Sequence, residues 1–405
     1  MKTADRIEVF LDGKKVGTMV PYQKRLTAFE YSEEWLRNGF SISPFSLPLQ
    51  AGVKIAKADP FDGIFGIFAD SLPDGWGRLL VDRMLRKAGE NPEEIDPFSR
   101  LSIVGTSGKG ALEYKPVYNL KTAQQTDDLD QIAEECQKIL QTEDSGDLDT
   151  LFAMGGSSGG ARPKVTIRLN GEEWIVKFPS SGDPSDIGLM EYEYNLCAKV
   201  CGINIPEVRL FPSNLCPGYF GSIRFDRVKT TLGEKKIHTA SVSALLETSH
   251  RIPALDYCSL LSLTWQLTKR EEEVEKMFTL MCFNVFAHNR DDHSNNFSFV
   301  YDGYWRLSPA YDLTYSNSVG GEHATTVAGE GKNPTIQDIL AVAKKIGMKE
   351  SRAKQIAENV NEIVNERLGG IMKKSRFHET LHRDRNELRR VSGEGRKGRI
   401  QSERR

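Results

Sequence analysis

A polar segment that follows a long apolar stretch carries the residues best suited to do chemistry. Residues 288–296 are His-Asn-Arg-Asp-Asp-His-Ser-Asn-Asn. Arg290 and Asp291 are followed by Asn296 five positions after the aspartate, which is the spacing of a kinase catalytic loop. In such a loop the aspartate accepts or orients the proton of a hydroxyl, and the asparagine oxygen reaches a Mg²⁺ ion on the phosphates. A polar loop built from Asx turns is the alternative.

An aspartate further along is suited to be a second metal ligand. Asp312 ends the run Leu-Ser-Pro-Ala-Tyr-Asp over residues 307–312 and lies 16 positions after Asn296. A kinase keeps at this place the acid that chelates Mg²⁺ between the β- and γ-phosphates. The spacing therefore predicts Asp291 as the proton acceptor and Asn296 and Asp312 as Mg²⁺ ligands.

A glycine-rich segment upstream could cradle phosphates. Gly155 to Gly160 are Gly-Gly-Ser-Ser-Gly-Gly, and glycines let backbone N–H groups turn toward an anion because no Cβ blocks the approach. A Walker P-loop would continue with Lys-Ser or Lys-Thr into a helix, whereas here Ala161 and Arg162 lead into a strand. A glycine-rich loop between strands is the kinase arrangement, and a flexible linker is the alternative.

A lysine at the end of an apolar strand follows this loop. Lys177 closes the run Trp-Ile-Val-Lys, where a kinase places its phosphate-binding lysine. The next helix carries Glu191 and Glu193, and we assign Glu193, 16 positions after Lys177, as the carboxylate that holds the lysine. An ordinary strand-end lysine and solvent-exposed glutamates are the alternatives. Five such features in kinase order over roughly 160 residues predict ATP-dependent phosphoryl transfer to a hydroxyl.

Hairpins and amphipathic helices must position these residues. Asp12-Gly13 and Asn170-Gly171 each separate two strand-like runs, which is a strong hairpin signal. Helical periodicity recurs in the polar segment 121–148 and through most of the chain after Asp256. The predicted strands are 6–11, 15–20, 163–169 and 172–178, and the predicted helices outside 121–148 are 75–87, 186–201, 271–287, 335–346 and 350–368.

Composition narrows the class of protein. The chain has 405 residues and a formal net charge of −2, which does not suggest a protein that coats nucleic acid with its whole surface. No apolar run approaches the roughly 20 residues of a membrane span, and residues 1–6 do not resemble a signal peptide. The six cysteines contain no CxxC pair, so free thiols in the cytoplasm are expected. From residue 371 the chain carries 12 basic against 5 acidic residues. This excess of positive charge indicates either a solvated tail or a basic arm that touches nucleic acid or an acidic partner.

At these motifs the chain resembles the HipA-type serine/threonine kinases, the toxins of bacterial toxin–antitoxin pairs. The resemblance covers about residues 1–370 and implies an α+β, protein-kinase-like two-lobed fold, with an N-terminal β-rich subdomain plus N lobe and an all-α C-terminal lobe. The matching segments are Leu72-Pro73-Asp74-Gly75, Gly110-Ala111-Leu112-Glu113, Lys177-Phe178-Pro179, Glu191-Tyr192-Glu193-Tyr194, Arg224-Phe225-Asp226-Arg227, residues 290–298 and residues 307–312. The predicted parts are the β-rich subdomain (1–118), a linker with a short helix (119–150), the N lobe (151–227), the all-α lobe (228–372) and a basic tail (373–405).

The resemblance also implies roles for individual residues. Asp291 would be the catalytic proton acceptor, Lys177 and Glu193 would be the other catalytic residues, and Mg²⁺ would be held by Asn296 and Asp312. A serine ahead of the glycine-rich loop would be autophosphorylated; counting back from Lys164 this is Ser157, with Ser158 second. The implied ATP-binding residues are Gly159, Gly160, Ala161, Lys164, Lys177, Ile223, Arg224, Phe225, His293, Asn296, Tyr311 and Asp312. Arg162 and Pro163 stand where the family loop has Gln-Glu.

The resemblance implies partners as well. The expected partner is a HipB-type DNA-binding antitoxin, through which the kinase would reach operator DNA indirectly. The expected substrate is a protein serine, with an aminoacyl-tRNA synthetase such as glutamyl-tRNA synthetase as the suspected target and growth arrest as the result. The alternatives are a nucleotide-binding co-repressor without phosphotransfer, favoured weakly by the basic tail, and a small-molecule or lipid kinase on a similar fold.

Overall fold

The computed structural model describes residues 5–375 apart from 24, 119–127, 142–147, 157–158, 232, 250, 253 and 318. The N-terminal part contains one antiparallel sheet in the order β4-β3-β2-β1-β5, with four helices. The turn residues Asp12 and Gly13 both have positive φ, 50° and 72°, as a two-residue hairpin turn requires, and confirm the first predicted hairpin. The elements are β1 (Ile7–Leu11), β2 (Lys14–Tyr22), β3 (Leu26–Tyr31), α1 (Glu33–Asn38), β4 (Lys54–Ile55), α2 (Gly66–Ala69), α3 (Gly75–Lys87), α4 (Pro97–Val104) and β5 (Leu112–Lys115).

The next part carries the glycine-rich loop and Lys177. Its antiparallel sheet has the order β6-β7-β9-β8, and Asn170-Gly171 forms the second predicted hairpin, with φ of 54° and 81°. Asp128 caps the connecting helix α5, because its side chain accepts from the backbone N–H groups of Asp130 and Gln131. The elements are α5 (Leu129–Leu140), α6 (Leu148–Gly155), β6 (Lys164–Leu169), β7 (Glu172–Lys177), α7 (Ile187–Val200), β8 (Val208–Phe211) and β9 (Tyr219–Ile223).

The remaining part is mainly helical, but the prediction that it is all-α is wrong. A three-stranded sheet, β12-β14-β15, runs directly beside the predicted catalytic loop, because β14 begins two residues after Asn296. Strands of three or four residues are too short to give a clear alternating pattern in a sequence. The elements are β10 (Arg227–Thr230), β11 (Gly233–Lys236), β12 (His238–Ser241), α8 (Val242–Leu246), β13 (Leu255–Asp256), α9 (Tyr257–Thr268), α10 (Glu271–Phe286), β14 (Ser298–Tyr301), β15 (Trp305–Leu307), β16 (Thr325–Thr326), α11 (Ile336–Lys345) and α12 (350–375).

Two clusters of buried apolar side chains hold these parts together. In the first, Phe29 of the N-terminal sheet and Phe283 of α10 are both fully buried. In the second, Trp76 and Leu80 of α3 share a core with Val176 of β7. The N-terminal part thus packs on both other parts, and its loops reach the candidate site. All six cysteines are free, as predicted, and five of them are buried. No helix among the described residues has the length and apolar character to cross a membrane.

Candidate active site

Lys177, the last residue of β7, contacts two carboxylates. Its ammonium donates hydrogen bonds to Glu191 Oε1 at 2.5 Å and to Asp312 Oδ1. Burial disfavours the charged lysine, but Asp312 and Glu191 outweigh this effect, so the pKa of Lys177 is raised. Burial alone would raise the pKa of Asp312, but the charges of Lys177 and Lys164 hold it well below its usual range. Both groups are therefore ionised at neutral pH.

The assignment of Glu193 as the partner of Lys177 is wrong. The partner is Glu191, which lies 14 positions after the lysine and is only 2% exposed. Residues two apart on an α-helix point about 200° apart around its axis, so only one of the two glutamates can face β7. Glu193 is half-buried on another side of α7.

The predicted catalytic loop brings Asp291 and Asn296 together. Asn296 Nδ2 donates to the backbone oxygen of Asp291 at 2.7 Å, which leaves the amide oxygen Oδ1 as the end that can bind a cation. The Asp291 side chain is 56% exposed, and the imidazole Nε2 of His293 lies 3.8 Å from Asp291 Oδ1. An incoming hydroxyl can therefore reach the Asp291 carboxylate from solvent.

The glycine-rich loop is docked on the first turn of α3. The Gly160 N–H donates to a carboxylate oxygen of Asp74, and the Gly160 oxygen accepts from the Trp76 N–H at 2.9 Å. The Lys164 ammonium donates to the Gly159 oxygen at 2.5 Å, and burial is the main cause of its lowered pKa. Ala161 follows on the same loop. The predicted phosphorylation sites Ser157 and Ser158 lie outside the described residues.

The predicted adenine-side residues meet around two aromatic rings. The rings of Phe225 and Tyr311 lie 5.6 Å apart, with an interplanar angle of 25°. Ile223 ends β9 just before them. The guanidinium of Arg224 is engaged elsewhere, since it lies 2.8 Å from an Asp226 oxygen and 3.3 Å from Glu173. Tyr311 directly precedes Asp312, so the aromatic pair adjoins the predicted metal ligand.

Sequence profiles of two known domains match the chain. The profile described as the HipA-like C-terminal domain matches residues 156–368, which is more than half of the chain. The profile described as the HipA N-terminal domain matches residues 7–115.

The chain belongs to the HipA family. The resemblance inferred from the motifs is therefore confirmed. The structure of HipA from Shewanella oneidensis MR-1, solved with HipB and operator DNA, is similar with a TM-score of 0.67 over 90% of each chain at 18% identity. The Helicobacter pylori proinflammatory kinase CtkA covers 51% of this chain and 90% of its own, at 13% identity and a TM-score of 0.35. No curated protein sequence matches significantly.

The match to the HipA fold confirms the predicted α+β, kinase-like class, apart from the lobe that was predicted to be all-α and contains short strands.

Oxygen atoms at the site fit a hard cation such as Mg²⁺. Asn296 offers an amide oxygen and Asp312 a carboxylate, the ligand types that Mg²⁺ takes together with substrate phosphates. Asp312 has a φ of +55°, which is uncommon outside glycine, and such backbone conformations cluster at functional sites.

Three residues of this HipA-family site have no role in the sequence analysis. Asp74 was part of a quoted motif, yet only the structure places its carboxylate on the glycine-rich loop. Arg162 lies 3.0 Å from Asp183 and 3.6 Å from Glu191 Oε2, so it ties the loop to the carboxylate that also holds Lys177.

The third residue is Asp292, which is buried beside the exposed Asp291. Its carboxylate accepts hydrogen bonds from the Tyr257 hydroxyl at 2.8 Å, from His323 Nδ1 at 2.9 Å and from the Thr325 N–H at 3.1 Å. A buried carboxylate persists only where such donors surround it. Asp292 therefore anchors the segment from which Asp291 projects, and the adjacent Asp-Asp pair was the signal in the sequence.

Proposed function

We propose that this chain is an ATP- and Mg²⁺-dependent protein serine/threonine kinase that acts as the toxin of a toxin–antitoxin pair. The observation that carries the proposal is the contact of Lys177 with both Glu191 and Asp312. This is the arrangement in which a kinase strand lysine is held by a helix carboxylate beside the metal-binding aspartate. Asp291 and Asn296 stand next to each other in the loop that supplies the remaining functions.

Each residue has a distinct task in this proposal. Lys177 binds the phosphates of ATP, and Glu191 keeps its ammonium in place. Asn296 and Asp312 hold Mg²⁺, which when bound neutralises charge on the β- and γ-phosphates. The glycine-rich loop covers the phosphates with backbone N–H groups, and the rings of Phe225 and Tyr311 adjoin the adenine, beside His293.

The transfer step needs little covalent work by the protein. The acceptor serine oxygen forms a bond to the γ-phosphorus, and the bond from that phosphorus to the β,γ-bridging oxygen breaks, so that ADP leaves. The serine proton passes to the carboxylate of Asp291. A positioned acid–base group contributes about 10²- to 10⁴-fold to a rate, which sets the expected cost of removing Asp291.

Family membership supports the finer parts of the proposal. The chain's own loop serine, Ser157 or Ser158, is a proposed acceptor. The partner would be a HipB-type antitoxin, since the similar Shewanella HipA was solved with HipB and operator DNA. The proposed external target is an aminoacyl-tRNA synthetase such as glutamyl-tRNA synthetase, and phosphorylation of this target would arrest growth. The proposed location of the chain is the cytoplasm.

The test is phosphate transfer by the purified chain with Mg²⁺ and γ-labelled ATP. We expect label on the chain itself, located by peptide mass spectrometry at Ser157 or Ser158, and label on a protein of the host lysate. Asp291→Asn should lower transfer by about 10²- to 10⁴-fold while the chain still binds nucleotide. Tight nucleotide binding with no label on the chain or on any lysate protein would overturn the kinase proposal in favour of a nucleotide-binding co-repressor.

A further inference from the structure

Lys109 extends from the N-terminal part into the candidate nucleotide site. It lies in the loop between α4 and β5, far along the chain from the predicted kinase motifs. Its ammonium is 3.0 Å from the Ser298 hydroxyl and 3.4 Å from the Tyr311 hydroxyl, and 5.4 Å from the centre of the Tyr311 ring. Sequence analysis gives this lysine no function.

The Tyr311 hydroxyl is the centre of this contact. It donates to the backbone oxygen of Asn295 at 2.6 Å and lies 2.6 Å from the Ser298 hydroxyl. Because its single proton goes to Asn295, the Tyr311 oxygen must accept from Ser298 and from Lys109. An ammonium can only donate, so Lys109 favours the arrangement in which the Tyr311 hydroxyl accepts from its neighbours and donates its own proton to Asn295.

This hydroxyl joins the two segments that carry the proposed metal ligands. Tyr311 directly precedes Asp312, and Asn295 directly precedes Asn296. A shift of the Tyr311 hydroxyl would therefore change the distance between the Asp312 carboxylate and the Asn296 amide. Mg²⁺ demands near-ideal octahedral geometry, so its affinity depends on that distance.

Charges around Lys109 keep the ammonium in this role. Burial disfavours its charged form, but the carboxylates of Asp70 and Asp226 and the hydrogen bond to the neutral Tyr311 hydroxyl outweigh burial and raise its pKa. Asp226 is itself fixed, since it accepts from the Gly110 N–H at 2.7 Å. All three parts of the chain thus contribute to the surroundings of one ammonium group.

We propose that Lys109 is a positioning residue for Mg²⁺-bound nucleotide, acting through Tyr311 on the two metal ligands. The inference rests on the proposed ATP- and Mg²⁺-binding function and deepens it. It assigns the N-terminal part a direct share in nucleotide binding. Loss of the ammonium should weaken the binding of nucleotide with Mg²⁺ much more than the binding of nucleotide alone.

The test compares Lys109→Met and Lys109→Arg with the unaltered chain. The dissociation constant of a non-hydrolysable ATP analogue is measured by calorimetry, with Mg²⁺ and with a chelator, well below the unfolding temperature. We expect Lys109→Met to weaken binding with Mg²⁺ about tenfold and binding without Mg²⁺ less than about twofold, because a hydrogen bond from a charged donor is lost. Lys109→Arg, which keeps the charge and the donors, should stay within about threefold of the unaltered chain.

Arg100→Met is the matched control for a structural effect. Arg100 is another buried cation of the N-terminal part, 2.8 Å from Asp82, with no contact to Tyr311. Arg100→Met should lower the unfolding temperature of the protein and leave the dissociation constants of the nucleotide unchanged. Two outcomes would overturn the role of Lys109 but not the proposed function. One is equal binding by Lys109→Met and the unaltered chain, and the other is weakening by Arg100→Met as large as that by Lys109→Met. No nucleotide binding by the unaltered chain would overturn the proposed function and this inference together.

Discussion

The Glu191 carboxylate lies between two cations, with Oε1 at 2.5 Å from Lys177 Nζ and Oε2 at 3.6 Å from an Arg162 nitrogen. Lys177 ends a strand and Arg162 belongs to the glycine-rich loop, so one helix carboxylate fixes both sides of the β6–β7 hairpin. Because Glu191 is 2% exposed, solvent does little to screen these interactions. The position of Lys177 and that of the glycine-rich loop are therefore coupled through α7.

Replacing Glu191 should lower the proposed kinase activity, whereas replacing Glu193 should not. Glu191→Gln removes the charge that holds Lys177. We expect kcat/KM for ATP to fall about 10²-fold, because breaking a buried ion pair costs about 3 kcal/mol or more, which corresponds to about 10²-fold in rate. Glu193→Gln changes a half-buried residue that has no contact with Lys177 and should stay within about twofold. Steady-state kinetics with both variants checks this, and the reverse ranking would restore the assignment of Glu193.

Gly75 should be intolerant of a side chain because of its approach to the glycine-rich loop. A Cβ added to Gly75 would lie 2.4 Å from the Gly160 oxygen, so Gly75→Ala must displace the loop. Backbone N–H groups would then be misplaced over the phosphates, and we expect KM for ATP to rise about tenfold or more, as for a misplaced binding element.

Gly89 supplies the control for Gly75. It also has positive φ, 78°, but a Cβ there meets nothing within 4 Å. Gly89→Ala should cost about 1 kcal/mol of stability through backbone strain and leave KM unchanged. An equal rise of KM in both variants would mean that backbone strain near the ends of α3, rather than contact with Gly160, affects nucleotide binding.

Part of the site could be predicted because its residues follow one another along the chain in a recognisable order and spacing. Lys177, Asp291, Asn296 and Asp312 stand in a fixed order, and hairpin signals placed the strand that carries the lysine. Glu191 could not be separated from its neighbour at 193, since both alternate with tyrosines and the pattern does not fix which side of α7 faces the sheet.

Other residues could not be predicted because they depend on contacts between distant parts of the chain. Asp74 and Gly160 are 86 positions apart, and Lys109 and Tyr311 are 202 apart. Periodicity reports which face of an element is buried, not which loop of another part will lie against it. The short strands β14 and β15 could not be predicted for a different reason. A strand of three or four residues inside a polar segment is too short to show the alternation of apolar and polar residues.

The neighbouring aspartates 291 and 292 should have opposite effects on activity and stability. Asp291→Asn changes an exposed side chain, so phosphate transfer should be lost with little change in the unfolding temperature. Asp292→Asn places an amide among three donors, and we expect a loss of about 1–3 kcal/mol in the free energy of unfolding. Thermal melts and transfer assays on both variants check the prediction, and a stable Asp292→Asn protein would contradict it.

His238 should make the stability of the protein depend on pH between about 6.5 and 4. The ring is 2% exposed at the contact between β12 and the N-terminal part, where Nε2 donates to the Ile42 oxygen at 2.8 Å. Nδ1 is buried and has no hydrogen-bond partner among the described residues, so a proton added there would be unsolvated. Burial accordingly lowers the pKa of His238 to about 4.

The direction of the effect follows from the two protonation states. In the unfolded chain the histidine pKa is about 6.5, so below that pH the unfolded state takes up a proton that the folded state refuses until about pH 4. The free energy of unfolding should thus fall by up to about 3 kcal/mol across this window as the pH falls, and then level off. Urea denaturation at several pH values measures it. His238→Phe, which cannot titrate, should show a shallower fall over the same window, and an identical slope in both proteins would contradict the buried neutral histidine.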